Sequence, residues 1–185
     1  MTNRHAILLA AALLAACAAR PARFVNTSAD LTAVKVVAVL PFENLTADKL
    51  CSERVQRLFL TQVLSTGTFE VVEPGLVQRA VRKDQLDPGA LSPEDFKKLG
   101  QSLKADALFV GSVLEYDEGR GAAVLSPNVK LQFRLVDAAT GATLWSVTRS
   151  ANGATVSARL FGVGAETASG MAERLIWEEV SRFRR

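Results

Sequence analysis

Histidine is nearly missing from this chain of 185 residues; the single one is His5. Everything beyond the first seventeen residues therefore has no imidazole to move protons, activate a nucleophile or ligate a metal. No catalytic, cofactor-binding or metal-ligating residue is assigned, and no enzymatic activity is expected. Cysteine is almost as scarce, with Cys17 and Cys51 alone. Once Cys17 is modified, Cys51 has no partner within the chain, so an internal disulfide is excluded even in an oxidising compartment. A small buried residue at a helix start accounts for Cys51; an intermolecular disulfide or a reactive thiol is the alternative. A basic run is missing too. The net charge of +3 is spread along the chain. Lys97-Lys98 and Arg182-Arg184-Arg185 fall on helical stretches and read as solvated faces, so nucleic acid is not an expected partner. At 49% hydrophobic and 22% charged residues, the composition is that of a globular chain. No internal repeat is evident.

Also absent is an apolar run of membrane-spanning length. The longest, Ala6 to Ala16, is roughly half the ~20 residues a spanning helix needs, and Arg4 and His5 precede it. It ends in Leu14-Ala15-Ala16-Cys17, which resembles the lipobox of bacterial lipoproteins. That resemblance implies cleavage before Cys17, a diacylglycerol on its sulfur and a third acyl chain on its new amino group. Each buried CH₂ contributes ~0.8 kcal/mol, and several chains together hold a protein to a bilayer far more firmly than one. The residue after the cysteine is Ala18, not the aspartate of inner-membrane retention, which implies the outer membrane, facing the periplasm. The expected organisation is a signal peptide over 1–16, a lipidated cysteine with a short tether over 17–33, and a periplasmic α/β domain over 34–185. Fully stretched, that tether spans ~50 Å at ~3.1 Å per residue.

Within the domain, Val34 to Leu40 is a near-continuous β-branched run, the pattern of a strand covered on both faces. Pro41 stops it and Glu43 to Thr46 turns. Leu50, Val55, Leu58, Phe59, Val63 and Leu64 recur roughly at helical spacing, with Gly67 as a stop. Phe69 to Val72 is a short strand. Pro74 opens a helix with Leu76, Val77, Ala80 and Val81 on its apolar face. Ser92-Pro93-Glu94-Asp95 opens another with a capping box and proline at the first helical position, lined by Phe96, Leu99 and Leu103. Ala107 to Tyr116 reads as a buried strand. Val129, Leu131, Phe133 and Leu135 alternate with Lys130, Gln132 and Arg134, so that strand has one wet face. Asp137 to Gly141 is a turn, Thr143 to Arg149 returns as a strand, and Met171, Leu175, Ile176, Val180 and Phe183 mark a last amphipathic helix. The order predicts an α/β fold, a single two-layer sandwich of helices on a mixed sheet.

Four blocks carry a family resemblance: Val37 to Asn44, Gly67 to Val72, Ala105 to Val113, and Leu135 to Ser146. In this order they resemble periplasmic domains related to the amino-terminal domain of TolB. Together with the lipobox they are similar to the lipoprotein group that includes the curli secretion channel protein CsgG and the penicillin-binding-protein activator LpoB. The blocks also have a structural account, with Gly111 placed where a backbone bends or comes close, and fold likeness does not transfer function. A curli-type pore needs long membrane hairpins, each strand about 9–11 residues. Asp117 to Asn128, with two glycines and a proline, and Ser150 to Glu166 are both too short or too irregular for that.

The resemblance implies an interaction or scaffold lipoprotein, acting by protein contact in an envelope or secretion assembly, with membrane, envelope proteins or copies of itself as partners. Regulation of peptidoglycan synthesis is one alternative, although such activators use a longer tether. A wall-acting hydrolase is another. Glu43, Asp106, Glu115, Asp117 and Glu118 supply carboxylates, and Glu115 with Asp117 would share a strand face as a glycosidase pair does.

Overall fold

Val36–Val39 is strand β2, and both its faces are covered, as a β-branched run demands. The structure is a computed structural model that describes residues 22–119, 127–153 and 166–184. The predicted signal peptide, Cys17 and the inner parts of the two connections weighed as membrane hairpins lie outside the described residues. β2 pairs in parallel with β5 (Ala107–Asp117) on one side and with the two-residue β4 (Glu70–Val71) on the other. A two-residue β3 (Glu43–Asn44) also runs parallel to β5, further along it. Antiparallel pairing then continues from β5 to β6 (Asn128–Asp137), to β7 (Thr143–Asn152) and to β1 (Ala22–Val25). The sheet is mixed and seven-stranded, in the order β1-β7-β6-β5-β2-β4 with β3 beside β5.

Four α-helices cover it among the described residues. Helices α1 (Cys51–Thr66) and α4 (Ala168–Val180) lie over one face. Cys51, Val55, Phe59 and Val63, four residues apart, form the buried stripe of α1. They meet Phe42, Phe109 and Phe133; the Phe59 ring stands 5.1 Å from that of Phe109 and 4.7 Å from that of Phe133. Val129, Leu131, Phe133 and Leu135 point into this core, and the alternating Lys130, Gln132 and Arg134 face away, as their spacing predicts. Gly67 closes α1 in the left-handed conformation, at φ 62°, its N–H donating to the Leu64 carbonyl. Sheet plus α1 and α4 make the two-layer sandwich.

A smaller cluster occupies the opposite face of the parallel strands. Helices α2 (Pro74–Lys83) and α3 (Pro93–Leu103) press Val77, Val81, Phe96 and Leu99 onto Ala38, Leu40, Leu108 and Val110. The capping box of α3 is formed: Asp95 N–H donates to Ser92 Oγ at 3.2 Å, and Ser92 N–H donates to Asp95 Oδ2 at 2.9 Å. Gly111 marks a close approach. A Cβ there would stand 2.7 Å from the Phe42 ring.

The tether is where the structure departs from expectation. The stretch expected as tether includes residues 22–25, which form edge strand β1, in register with Trp145 to Thr148 of β7. Asn26 N–H donates to the Leu144 carbonyl at 2.8 Å, and Ala29 and Leu31 pack on the main core. The folded body therefore starts by Ala22, not at Val34. The physical reason is that all four of its residues are exposed, so no hydrophobic alternation announces a strand that is held by backbone pairing and by Arg23 reaching Glu179.

Candidate functional site

The five carboxylates singled out in the sequence are dispersed, and most have structural partners. Asp106 opens β5, and its Oδ2 accepts the N–H groups of both Lys35 and Val36 at 2.9 Å. It thereby ties the start of β2 to the start of β5. Glu43, on β3, accepts the Ser112 hydroxyl at 2.8 Å and lies against Gly89. Glu115 takes the Asn128 amide and an ion pair with Lys130 at 3.7 Å, both on the neighbouring strand. Asp117 caps its own loop, accepting the Gly119 N–H at 2.8 Å. Glu115 and Asp117 are both exposed ends of β5, but each is committed to a different neighbour, and the bonds that they make do not converge on a common point. Glu118 is close enough to Tyr116 to act on it electrostatically: burial, and then the Glu118 charge, hold the phenol above its ordinary value, partly offset by Arg54, whose guanidinium lies 5.5 Å from the ring centre.

Cys51 is fully buried at the first turn of α1. Its thiol donates to Asn44 Oδ1 at 3.3 Å and sits 3.0 Å from Thr46 Oγ1. These contacts tie the helix start to the turn after β3. A side chain with no exposed surface is not poised for exchange with a second chain. The same turn is held by Asp48, which accepts from Leu50 N–H and Arg54; these bonds keep its carboxyl below the ordinary aspartate value.

Sequence reasoning missed the most heavily bonded acid, Glu179. It is the only buried charged side chain among the described residues. Its two oxygens take Arg23 of β1 and Arg149 of β7, with Arg182 at 3.7 Å, and Arg149 also takes the adjacent Glu178. A glutamate near the end of an amphipathic helix looks like a solvated one; the available signal was Arg149, in line with the buried Trp145 and Val147 on its strand.

No group of three or more histidine, cysteine, aspartate or glutamate residues among those described is placed to hold a metal. Concave surface occurs between α1 and α2, between α2 and α3, and at the end of the sheet where β5 begins. A groove of about 460 Å³ there is lined by Asp30, Val34, Asp106, Asp137 and Leu144. Another of about 410 Å³ shares Asp106 and adds Lys97, Gln101 and Lys104. Both are open; the first carries only acids, Asp30, Asp106 and Asp137, and the second sets Lys97 and Lys104 beside Asp106, a surface suited to contact with another macromolecule's side chains more than to enclosing a small molecule. No described helix is long and apolar enough to cross a membrane.

No curated protein sequence matches the chain. Its fold is shared by several solved structures. The PelC dodecamer from Paraburkholderia phytofirmans has a TM-score of 0.61 at 18% identity, over 89% of this chain and 96% of that one. Lipoprotein GNA1162 from Neisseria meningitidis has a TM-score of 0.59 at 22% identity, over 80% and 96%. The hypothetical protein CT253 from Chlamydia trachomatis has a TM-score of 0.52 at 14% identity, over 81% and 95%. The family profile described as peptidoglycan-synthase activator LpoB matches residues 8–150, and the chain belongs to that family.

Proposed function

We propose that the chain is a lipid-anchored envelope protein of the outer membrane, facing the periplasm through Cys17 and working by protein–protein contact, not by catalysis. Membership of the LpoB family carries this reading. The dispersal of the carboxylates into structural bonds supports it. So do the open grooves around Asp106, which offer both charge signs to a partner. The narrower kinship with the curli channel protein and the amino-terminal domain of TolB rests on the four sequence blocks alone.

Two partners follow from different observations. The family description favours a peptidoglycan synthase, whose activity the chain would raise on contact. The fold shared with PelC, a dodecamer, favours copies of this chain. Crosslinking in intact envelopes, followed by purification of the crosslinked species, separates them. A heterologous adduct with a wall synthase supports the first, and a ladder of self-adducts the second. Recovery of the uncrosslinked monomer alone would overturn contact as the mode of action. Fatty-acid labelling of the wild type, lost in Cys17→Ser, checks the anchor separately.

A further inference from the structure

Cations are not spread evenly over the folded body. Arg23, Arg54, Arg57, Arg149, Arg174 and Arg182 each meet a carboxylate. Arg79, Lys83 and Lys104 meet none among the described residues, and they gather on one groove. That groove, of about 380 Å³, runs between α2 and the last turn of α3. Its apolar lining is Leu76, 47% exposed, with Ala80 and Leu103 half-buried against the small cluster. Leu76, Arg79, Ala80 and Lys83 fall at i, i+3, i+4 and i+7, so they form one face of α2, two turns or ~10 Å long. No carboxylate lines the groove. Of the acids nearest in sequence, Glu73 caps the start of α2 by accepting the Leu76 N–H, and Asp84 is the exposed residue after its end. Lys83 and Lys104 have a local use, since a cation at the end of a helix offsets the helix dipole. Arg79, a turn earlier, has none.

We infer that this groove docks an acidic amphipathic segment of a partner protein, about two helical turns long. An apolar side chain of that segment sits against Leu76, Ala80 and Leu103, and its carboxylates lie beside Arg79, Lys83 and Lys104. The inference rests on protein contact as the mode of action, and adds to it a face of the molecule and the chemistry of the partner. Charge complementarity chooses the occupant: three cations share the rim with no counter-charge of their own. The apolar lining asks for a side chain as well as a charge, which a bare polyanion lacks. A lipid surface fits less well. A flat layer of headgroups reaches the rim of a recess and not its floor, and Leu76 offers one protruding apolar side chain where an interfacial helix offers a whole stripe. A helix laid in a groove places side chains along it at i, i+3, i+4 and i+7, the spacing that α2 itself presents. Lys104 also lines the groove that holds Lys97 and Asp106, so the docked segment leads on to that surface.

The full lipidated chain, held in phosphatidylcholine nanodiscs, is titrated into a fluorescent synthetic peptide with Leu and Glu at helical spacing, and anisotropy is read against empty nanodiscs. Binding should weaken about tenfold in Arg79→Glu with Lys83→Glu, where two attractions become repulsions. Arg79→Gln with Lys83→Gln, which puts no acid at the end of α2, should weaken it about threefold. Lys35→Glu with Lys49→Glu makes the same change in net charge at exposed positions outside the groove, and should leave binding within about twofold. A peptide with Ser in place of Leu should bind about tenfold more weakly. Equal losses in the two charge-reversed pairs, or equal binding of the Ser peptide, overturn the groove as the site. In intact envelopes, a photo-crosslinking residue in place of the exposed groove residue Ser102 should form an adduct that maps to an acidic, apolar segment of another protein and is lost in Arg79→Glu with Lys83→Glu. An adduct with phospholipid, or with a second copy of the chain, overturns the inference in favour of that occupant. Partner adducts from a general crosslinker with none from position 102 overturn the groove and leave contact as the mode of action standing. No adduct by either route overturns both.

Discussion

Glu179 ties the last helix to the antiparallel half of the sheet. A carboxylate removed from water is tolerated only where charge and hydrogen bonds replace its hydration, and here two guanidinium groups do so. Glu179→Gln keeps the shape and removes the charge, leaving Arg23 and Arg149 to find other partners. Both arginines retain some access to solvent, so the expected loss is about 2–4 kcal/mol, at or below that for a fully buried pair. Urea denaturation measures it; an unchanged midpoint would show the network to be idle. Gly111 is the second residue whose identity is forced. Gly111→Ala pushes a methyl against Phe42 and should cost about 1–3 kcal/mol. Combining it with Phe42→Leu should recover part of that loss in a double-mutant cycle, since the two share one space. The close approach at Gly111 was legible in the sequence because glycine inside a strand has few other uses. Glu179 was not, because its burial depends on partners remote in sequence, Arg149 at 30 positions and Arg23 at 156. The acids that drew attention in the sequence did so by chemical type alone, and Asp106 turned out to staple two strand starts.

Elements with a hydrophobic period were readable, and two short strands without one were not. Strands β2, β5, β6 and β7 and all four helices announce themselves by spacing or caps. The two-residue β4 falls inside the short strand read over Phe69 to Val72, but β3 lies where a turn is expected and β1, with four exposed residues, where a tether is. The cap of α3 makes its own prediction. Asp95 accepts from the Ser92 N–H and hydroxyl, and these bonds hold its carboxyl below the ordinary aspartate value. A depressed folded-state value means that the contribution is complete above the unfolded value and is lost as pH falls through the folded one. Stability should therefore decline on acidification below about pH 4, and Asp95→Asn should flatten that part of the acid limb, followed by circular dichroism. Ser92→Ala removes the acceptor for the Asp95 N–H and should cost about 1 kcal/mol at neutral pH.

At the scale of the whole molecule, one sheet serves two cores. Val37, Val39 and Phe109 face the large cluster under α1 and α4, whereas Ala38, Leu40, Leu108 and Val110, on the same strands, face the small one under α2 and α3. Neither cluster can dissolve without exposing the back of the strands that support the other, so the body should unfold as one unit. Leu99 tests this. It is fully buried in the small cluster, and Leu99→Ala should cost about 2–5 kcal/mol. Trp145 lies on the far side of the sheet, against Phe183 at 5.1 Å. Its fluorescence has no direct contact with Leu99 to report. In a coupled body the Trp145 midpoint nevertheless shifts in Leu99→Ala by as much as the circular-dichroism midpoint, with Trp177 replaced by Phe to leave one reporter. If the tryptophan transition stays in place while helical signal is lost early, α2 and α3 form a separately melting layer. The grooves near Gln101 would then belong to a soft surface instead of the rigid end of a single body.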